Sequence, residues 1–211
     1  MTRIEFLKIC GLFGIGLPMQ SGVMSCKEEQ IPASFTGKVL IIGAGAGGLS
    51  AGYFLQQKGI DFEILEASNA YGGRMKITTA FTDFPIPLGA EWLETSPKIF
   101  QEIINDPSVN VEIQTFPDNP DRKFVNYSWF QFFEDYITPS IATKIRLNSI
   151  VQSIEYSRKQ IEVKTNNRTY LADKVIVSVP LQVLKNGGIT FIPELPQTKL
   201  AAMQKAIVWD G

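Results

Sequence analysis

The chain has 211 residues, of which 45% are hydrophobic and 19% charged, with a formal net charge of −1. That is an ordinary globular composition, large enough for one domain with a full core, and it lacks the basic excess of a nucleic-acid partner. Histidine is absent and the only cysteines are Cys10 and Cys26, which excludes histidine acid–base chemistry, a Cys–His dyad and the usual zinc sites and leaves the chemistry to a cofactor.

Residues 1–26 have the layout of an export signal: Arg3 and Lys8 in a short basic region, an apolar, glycine-rich core from Ile9 to Leu17, then small residues. No run approaches the roughly eighteen apolar residues of a spanning helix. Val23-Met24-Ser25-Cys26 resembles a bacterial lipobox, which implies Cys26 as a lipidated first residue; a signal cleaved without lipid and a disordered leader are the alternatives. Thr2 to Lys8 resembles the twin-arginine export signal, with Ile4 where its second arginine belongs. The expectation is an exported bacterial protein, periplasmic or membrane-anchored through lipid. Residues 27–36, polar with Pro32, form the tether, and 37–211 the folded domain.

Lys38 to Ile42 is an apolar run without alternation, which reads as a parallel strand buried on both faces. Gly43, Gly45 and Gly48 then fit G-x-G-x-x-G, with Ala46 and Gly47 between. The glycines serve, in order, a tight turn, close approach of backbone to a diphosphate, and close packing of helix on sheet. The spacing predicts a helix from about Gly48 to Lys58, its N-terminus facing that diphosphate, with Gly59 as a left-handed cap. A second strand, Phe62 to Leu65, ends in Glu66, twenty-three residues after Gly43. That is close to where an acidic residue grips a ribose hydroxyl.

Glu66, Ala67 and the residues through Gly72-Gly73-Arg74 resemble the E-x-x-x-x-x-G-G-R signature of the FAD-dependent amine oxidase superfamily. The resemblance implies FAD rather than a nicotinamide. Physically, the glycines let backbone lie close to a bulky cofactor, and Arg74 can bring a forked cation to the diphosphate.

Lys76–Phe81 and Phe84–Leu88 read as extended segments about a turn at Asp83. Leu88-Gly89-Ala90-Glu91-Trp92 resembles the family loop beside the flavin ring, with Glu91 and Trp92 either facing substrate or anchoring the loop. Ser96 and Pro97 predict a helix start, running to Ile104 before Asn105-Asp106-Pro107 stops it. Residues 106–127 read as an irregular surface connection. Trp129, Phe132, Phe133 and Tyr136 fall at i, i+3, i+4 and i+7 behind a Ser128 cap, an aromatic helix stripe of the core-packing kind.

From Lys144 to Leu171 the two-residue period returns and predicts three antiparallel strands, about 149–156, 161–165 and 168–171, as an inserted meander. Val151 matches the family segment whose valine backbone holds the adenine end of FAD. Asp173 to Pro180 reads as a central parallel strand, and with Leu181–Lys185 and Ile189 to Lys199 it resembles the flavin monoamine oxidase block ending in P-x-L-P-x-x-K. Tyr170 and Lys174 spell Y-x-x-x-K, but on strands rather than on the helix face that short-chain dehydrogenase chemistry requires.

The sequence therefore predicts an α/β fold: a Rossmann-like FAD-binding domain with a parallel central sheet, an inserted antiparallel meander, and at 93–143 a helical substrate insertion shorter than the family's. The implied reaction is oxidation of an amine to an imine with release of peroxide. The family's catalytic lysine and its amine-site walls have no counterpart before Gly211, so no catalytic residue is carried over. The alternative is a noncatalytic surface lipoprotein that retains only the FAD-binding half.

Overall fold

The computed structural model describes residues 35–93, 96–115, 122–125 and 127–207, all within the compact unit Ala33–Gly211. The export-signal segment with Cys10 and Cys26, and the tether up to residue 34, lie outside the described residues.

Strand β1 (Lys38–Ile42) pairs in parallel with β2 (Asp61–Leu65) on one side and with β11 (Lys174–Val177) on the other; the two-residue β7 (Ile145–Arg146) extends the sheet beyond β2. The order is β11-β1-β2-β7. Both faces of β1 are covered, which is why its sequence does not alternate. Val39 and Ile41 pack with Phe62, Ile64 and Leu49, while Leu40 and Ile42 pack with Val151, Ile154, Val163 and Tyr170. The sheet is thus the middle of three layers. β11 stands at its edge among the described residues, not at its centre as the apolar run suggested, and Ile176 is exposed there.

On the first face lies α1 (Ala46–Gln57), which starts two residues earlier than the spacing predicts. Gly52 lets it sit low on the sheet: a Cβ there would come within 2.8 Å of Ile64 Cδ1 and 3.0 Å of Phe62. Its end is a Schellman turn, with Gly59 at φ +66°, Gly59 N–H donating to Gln56 O and Ile60 N–H to Leu55 O.

On the second face lies the meander β8 (Val151–Glu155), β9 (Ile161–Thr165) and β10 (Thr169–Ala172), with β12 (Thr190–Ile192) added in parallel to β8. Between the layers, Glu63 of β2 points at Lys38, Arg146 and, at 3.9 Å, Arg168. Its side chain is 12% exposed. Burial pushes its carboxyl pKa up, but the Lys38 and Arg146 cations outweigh burial and hold it below its ordinary value.

The intervening region departs from the sequence reading in four places. The extended segments shrink to a two-residue ladder, β3 (Ile77–Thr78) with β4 (Ile86–Pro87). Helix α2 (Ile99–Ile104) begins two residues after Pro97, because the Ser96–Lys98 stretch closes as a turn. Its stop at Asn105, φ +56°, is as expected. Residues 106–127 are not all irregular: β5 (Ile113–Thr115) and β6 (Arg122–Phe124) pair antiparallel, because Ile113 and Phe124 have core to pack against. Finally, the aromatic helix is not continuous α. Ser128 caps α3 (Trp129–Phe132) by accepting from Gln131 N–H; a π-turn follows at Phe133–Ile137, then α4 (Thr138–Ile141). Pro139 has no N–H to give the carbonyl of Asp135, and the turn before it widens. The stripe is core: Phe132 is fully buried and lies 4.7 Å from Phe100, edge to face. Two short helices, α5 (Leu181–Lys185) and α6 (Gln197–Lys205), complete the described chain.

Candidate functional site

The C-terminal ends of β1, β2 and β11 meet at the glycine turn, where ligands of open parallel sheets bind. Gly43 leaves β1 at φ +99°, reserved in practice for glycine, and its N–H donates to Leu65 O. Gly48 is fixed by sterics, since a Cβ would lie 1.8 Å from Gly43 O. Gly45 is different. Its φ of −80° is ordinary, and the nearest atom to an added Cβ is Gly73 Cα at 4.0 Å. Neither backbone nor packing demands a glycine there.

The first internal bond of α1 is Leu49 N–H to Gly45 O, so the N–H groups of its first turn precede the helical ladder and face outward at the positive end of the dipole. Ala46 and Gly47 are exposed on this rim. A Cβ on Gly47 would come within 2.9 Å of Ser178 Oγ, which places the Ser178 hydroxyl at the same turn. Sequence reasoning missed Ser178; the signal available was its position at the end of a parallel strand.

Glu66 closes the site from β2. Its Oε2 accepts from Ala44 N–H at 2.7 Å and its Oε1 from Ser68 N–H at 2.9 Å, so the carboxylate is held against the glycine turn with lone pairs to spare. Ala67 is exposed beside it. Ser149 N–H donates to Glu66 O and Asn148 N–H to Ser68 O, tying the start of β8 to this loop.

The Gly72-Gly73-Arg74 loop lies on the same turn. Gly72, at φ +106°, donates its N–H to Ala44 O at 2.8 Å and bridges Gly45; a Cβ on Gly73 would come within 3.2 Å of Gly45 Cα. The Arg74 side chain is exposed, with no hydrogen bond or ion pair among the described residues. Its carbonyl accepts from Ala90 N–H, and Gly89 passes so close that a Cβ would meet Arg74 O at 2.2 Å. Glu91 and Trp92 turn the other way, toward β6: Lys123 Nζ pairs with Glu91 and sits 4.0 Å from the Trp92 ring centroid, and Trp92 O accepts from Trp129 Nε1. Glu91 and Lys123 also line a cleft of about 270 Å³ with Phe84, Ile86, Phe124 and Tyr127.

Val151, buried in β8, is set apart from the glycine turn by the Glu66 loop. Asn166 N–H donates to Ile150 O, which makes Val151 and Thr165 a non-hydrogen-bonded pair. The N–H and C=O of Val151 therefore face the edge away from β9, where the register of β12 begins only at Ser153.

A parallel sheet, a glycine turn at its carboxyl edge and an acid at the next strand end define a Rossmann-like dinucleotide-binding protein. Family models agree: residues 41–106 match the NAD(P)-binding Rossmann-like domain and residues 133–207 the flavin containing amine oxidoreductase. Among solved structures, putrescine oxidase bound to putrescine shares the fold, with a TM-score of 0.63 at 13% identity over 81% of this chain and 63% of that one. Among curated proteins, human lysine-specific histone demethylase 2 is 25% identical over 290 residues, spanning 88% of this chain and 35% of its own length. Arabidopsis thaliana protein FLOWERING LOCUS D is 47% identical over 55 residues, 26% of this chain and 7% of its own. Polyamine oxidase 7 of Oryza sativa subsp. japonica is 42% identical over 64 residues, 30% and 14% respectively. Over residues 133–207 the chain is similar to the flavin-containing amine oxidoreductases, and it spans about a third or less of the length of these curated relatives.

The family model matched at 133–207 is a flavin-containing one, and the chain's own residues fit FAD. Gly45 is a glycine that the polypeptide alone does not require, at the turn where a diphosphate would approach in folds of this kind. The main-chain N–H and C=O of Val151 face away from β9 and are free of that ladder.

Proposed function

We propose that the chain forms the FAD-binding part of an oxidase acting on a small-molecule amine. The reading is carried by one juxtaposition: the glycine turn, Glu66 and the Gly72-Gly73-Arg74 loop are joined by direct hydrogen bonds at the carboxyl edge of the sheet, in a chain similar over residues 133–207 to the flavin-containing amine oxidoreductases.

Gly43, Gly45, Ala46, Gly47 and Gly48 would receive the diphosphate on the first turn of α1. There the unpaired N–H groups and the helix dipole offset its charge. Gly73 keeps the facing backbone thin, and the exposed Arg74 can add a forked cation. Glu66, with Ala67 beside it, would accept from the ribose hydroxyls through the lone pairs left by Ala44 and Ser68, and the Val151 main chain would receive the adenine. Gly89 and Ala90 bring a small-residue backbone alongside the ring, while Glu91 and Trp92 link that loop to β6. FAD, once bound, would supply the oxidation: an amine would give up two electrons and two protons to become an imine, with dioxygen reduced to hydrogen peroxide. Water would then hydrolyse the imine.

Visible flavin absorbance in the purified protein, followed by anaerobic bleaching and peroxide release with a panel of amines, tests the proposal. Bound flavin that no amine bleaches would refute the oxidase reading and favour the noncatalytic lipoprotein. Protein that takes up NAD and no flavin would refute both. The same reading takes the protein to be exported and lipid-anchored through Cys26; fatty-acid labelling that survives Cys26→Ser would refute that anchor.

A further inference from the structure

The cofactor loop is held from two sides. Below it lies the glycine turn, through Gly72 N–H to Ala44 O and the Gly73 contact with Gly45. Above it lies the aromatic helix. A Cβ on Gly72 would come within 2.8 Å of the Phe130 ring, so the missing side chain is what lets that ring cover the loop. Tyr71 stacks on Phe130 at 6.1 Å between centroids and 19° between planes, and its hydroxyl donates to Glu134 Oε1 at 2.5 Å. Burial and the Glu134 acceptor together push the Tyr71 pKa up to about 12, so the hydroxyl stays a donor throughout the physiological range. Glu134 sits inside the π-turn at Phe133–Ile137, and such a turn inside a helix re-aims the side chains on it. Its neighbour Asp135 accepts from Tyr127. The Phe130 and Glu134 contacts converge on residues 71 and 72, two or three residues before Arg74, whose own side chain is exposed.

We infer that Tyr71, Phe130 and Glu134 are positioning residues for the cofactor: they press the Gly72–Arg74 loop onto the glycine turn and so set where Arg74 meets the diphosphate. The inference rests on the FAD-binding reading above. It also means that the helix at 129–141 is tied to the cofactor loop, so loading of one and ordering of the other are coupled through Tyr71.

The test is FAD titration by fluorescence quenching, beside thermal unfolding of the FAD-free protein, for wild type, Tyr71→Phe, Glu134→Ala, Glu134→Gln and the double variant Tyr71→Phe/Glu134→Ala. Losing a hydrogen bond to a charged acceptor that orders the loop is expected to raise the FAD Kd about tenfold in Tyr71→Phe and Glu134→Ala. Glu134→Gln keeps an acceptor and should stay within about threefold, and the double variant should be no weaker than the singles, since they break one shared contact. Unchanged FAD Kd in Tyr71→Phe and Glu134→Ala, with only a lower unfolding temperature, would overturn the inference and leave the cofactor reading standing. Additive losses in the double variant would also overturn it. Wild-type protein that binds no FAD would overturn the cofactor reading and this inference together.

Discussion

Gly45→Ala separates a glycine kept for the ligand from one kept for the fold. At Gly45 the backbone is ordinary, φ −80° and ψ −174°, and a new Cβ meets nothing closer than Gly73 Cα at 4.0 Å. Two small terms oppose each other in the FAD-free protein. Replacing glycine at an N-cap by alanine costs on the order of 0.5–1 kcal/mol, and restricting the unfolded chain returns about 0.4–1 kcal/mol. Unfolding of FAD-free Gly45→Ala should therefore fall within about 1 kcal/mol of wild type. FAD should feel the methyl at once: overpacking costs about 1–3 kcal/mol, which is roughly 5- to 150-fold in Kd. Gly48→Ala is the control, because its Cβ would lie 1.8 Å from Gly43 O and backbone must move; it should lose more than about 3 kcal/mol with or without FAD. Urea unfolding with and without excess FAD, together with an FAD titration, reads all of these values. Gly45→Ala that binds FAD within about twofold of wild type, or that unfolds as easily as Gly48→Ala, would refute the reasoning.

Glu66→Ala should destabilise the FAD-free protein by about 1–3 kcal/mol in urea, because the N–H of fully buried Ala44 loses its acceptor. Glu63 carries a pH dependence. Its folded pKa lies below its ordinary value of 4.5, so its contribution is present above that value and is lost as pH falls through the folded pKa. Glu63→Gln should accordingly flatten the acid limb of stability against pH, measured by denaturation between about pH 3 and 6. Phe132→Ala should cost about 3–5 kcal/mol, since the ring is fully buried and packed on Phe100, Trp129 and Phe133.

The elements around β1 were readable because several local signals coincide there. An unalternating apolar run, a glycine turn, a helix with a glycine cap and an acid at fixed spacing all point to one arrangement, and Gly43, Gly48, Gly59 and Glu66 occupy the conformations or contacts that this arrangement needs. The same logic misplaced β11: Val175, Ile176 and Val177 look like an interior strand, but apolar content cannot tell which strand has a second neighbour. The β5–β6 hairpin escaped because three residues a side carry no measurable period, and Pro117 and Pro120 between them read as loop. The π-turn escaped because the Trp129–Tyr136 spacing suits an α-helix; Pro139 was the cue. The contact of Tyr71 and Phe130 joins residues fifty-nine apart, and only the folded chain brings them together.

The two hydrogen bonds that Glu66 makes to Ala44 and Ser68 are contacts of the polypeptide with itself. The recess at the sheet edge is thus already shaped by the polypeptide, and the entropy of ordering it is spent during folding rather than at the moment of capture. A chain without the Glu66 carboxylate would leave that ordering to the moment of binding, so this one side chain moves an entropic cost from capture to folding.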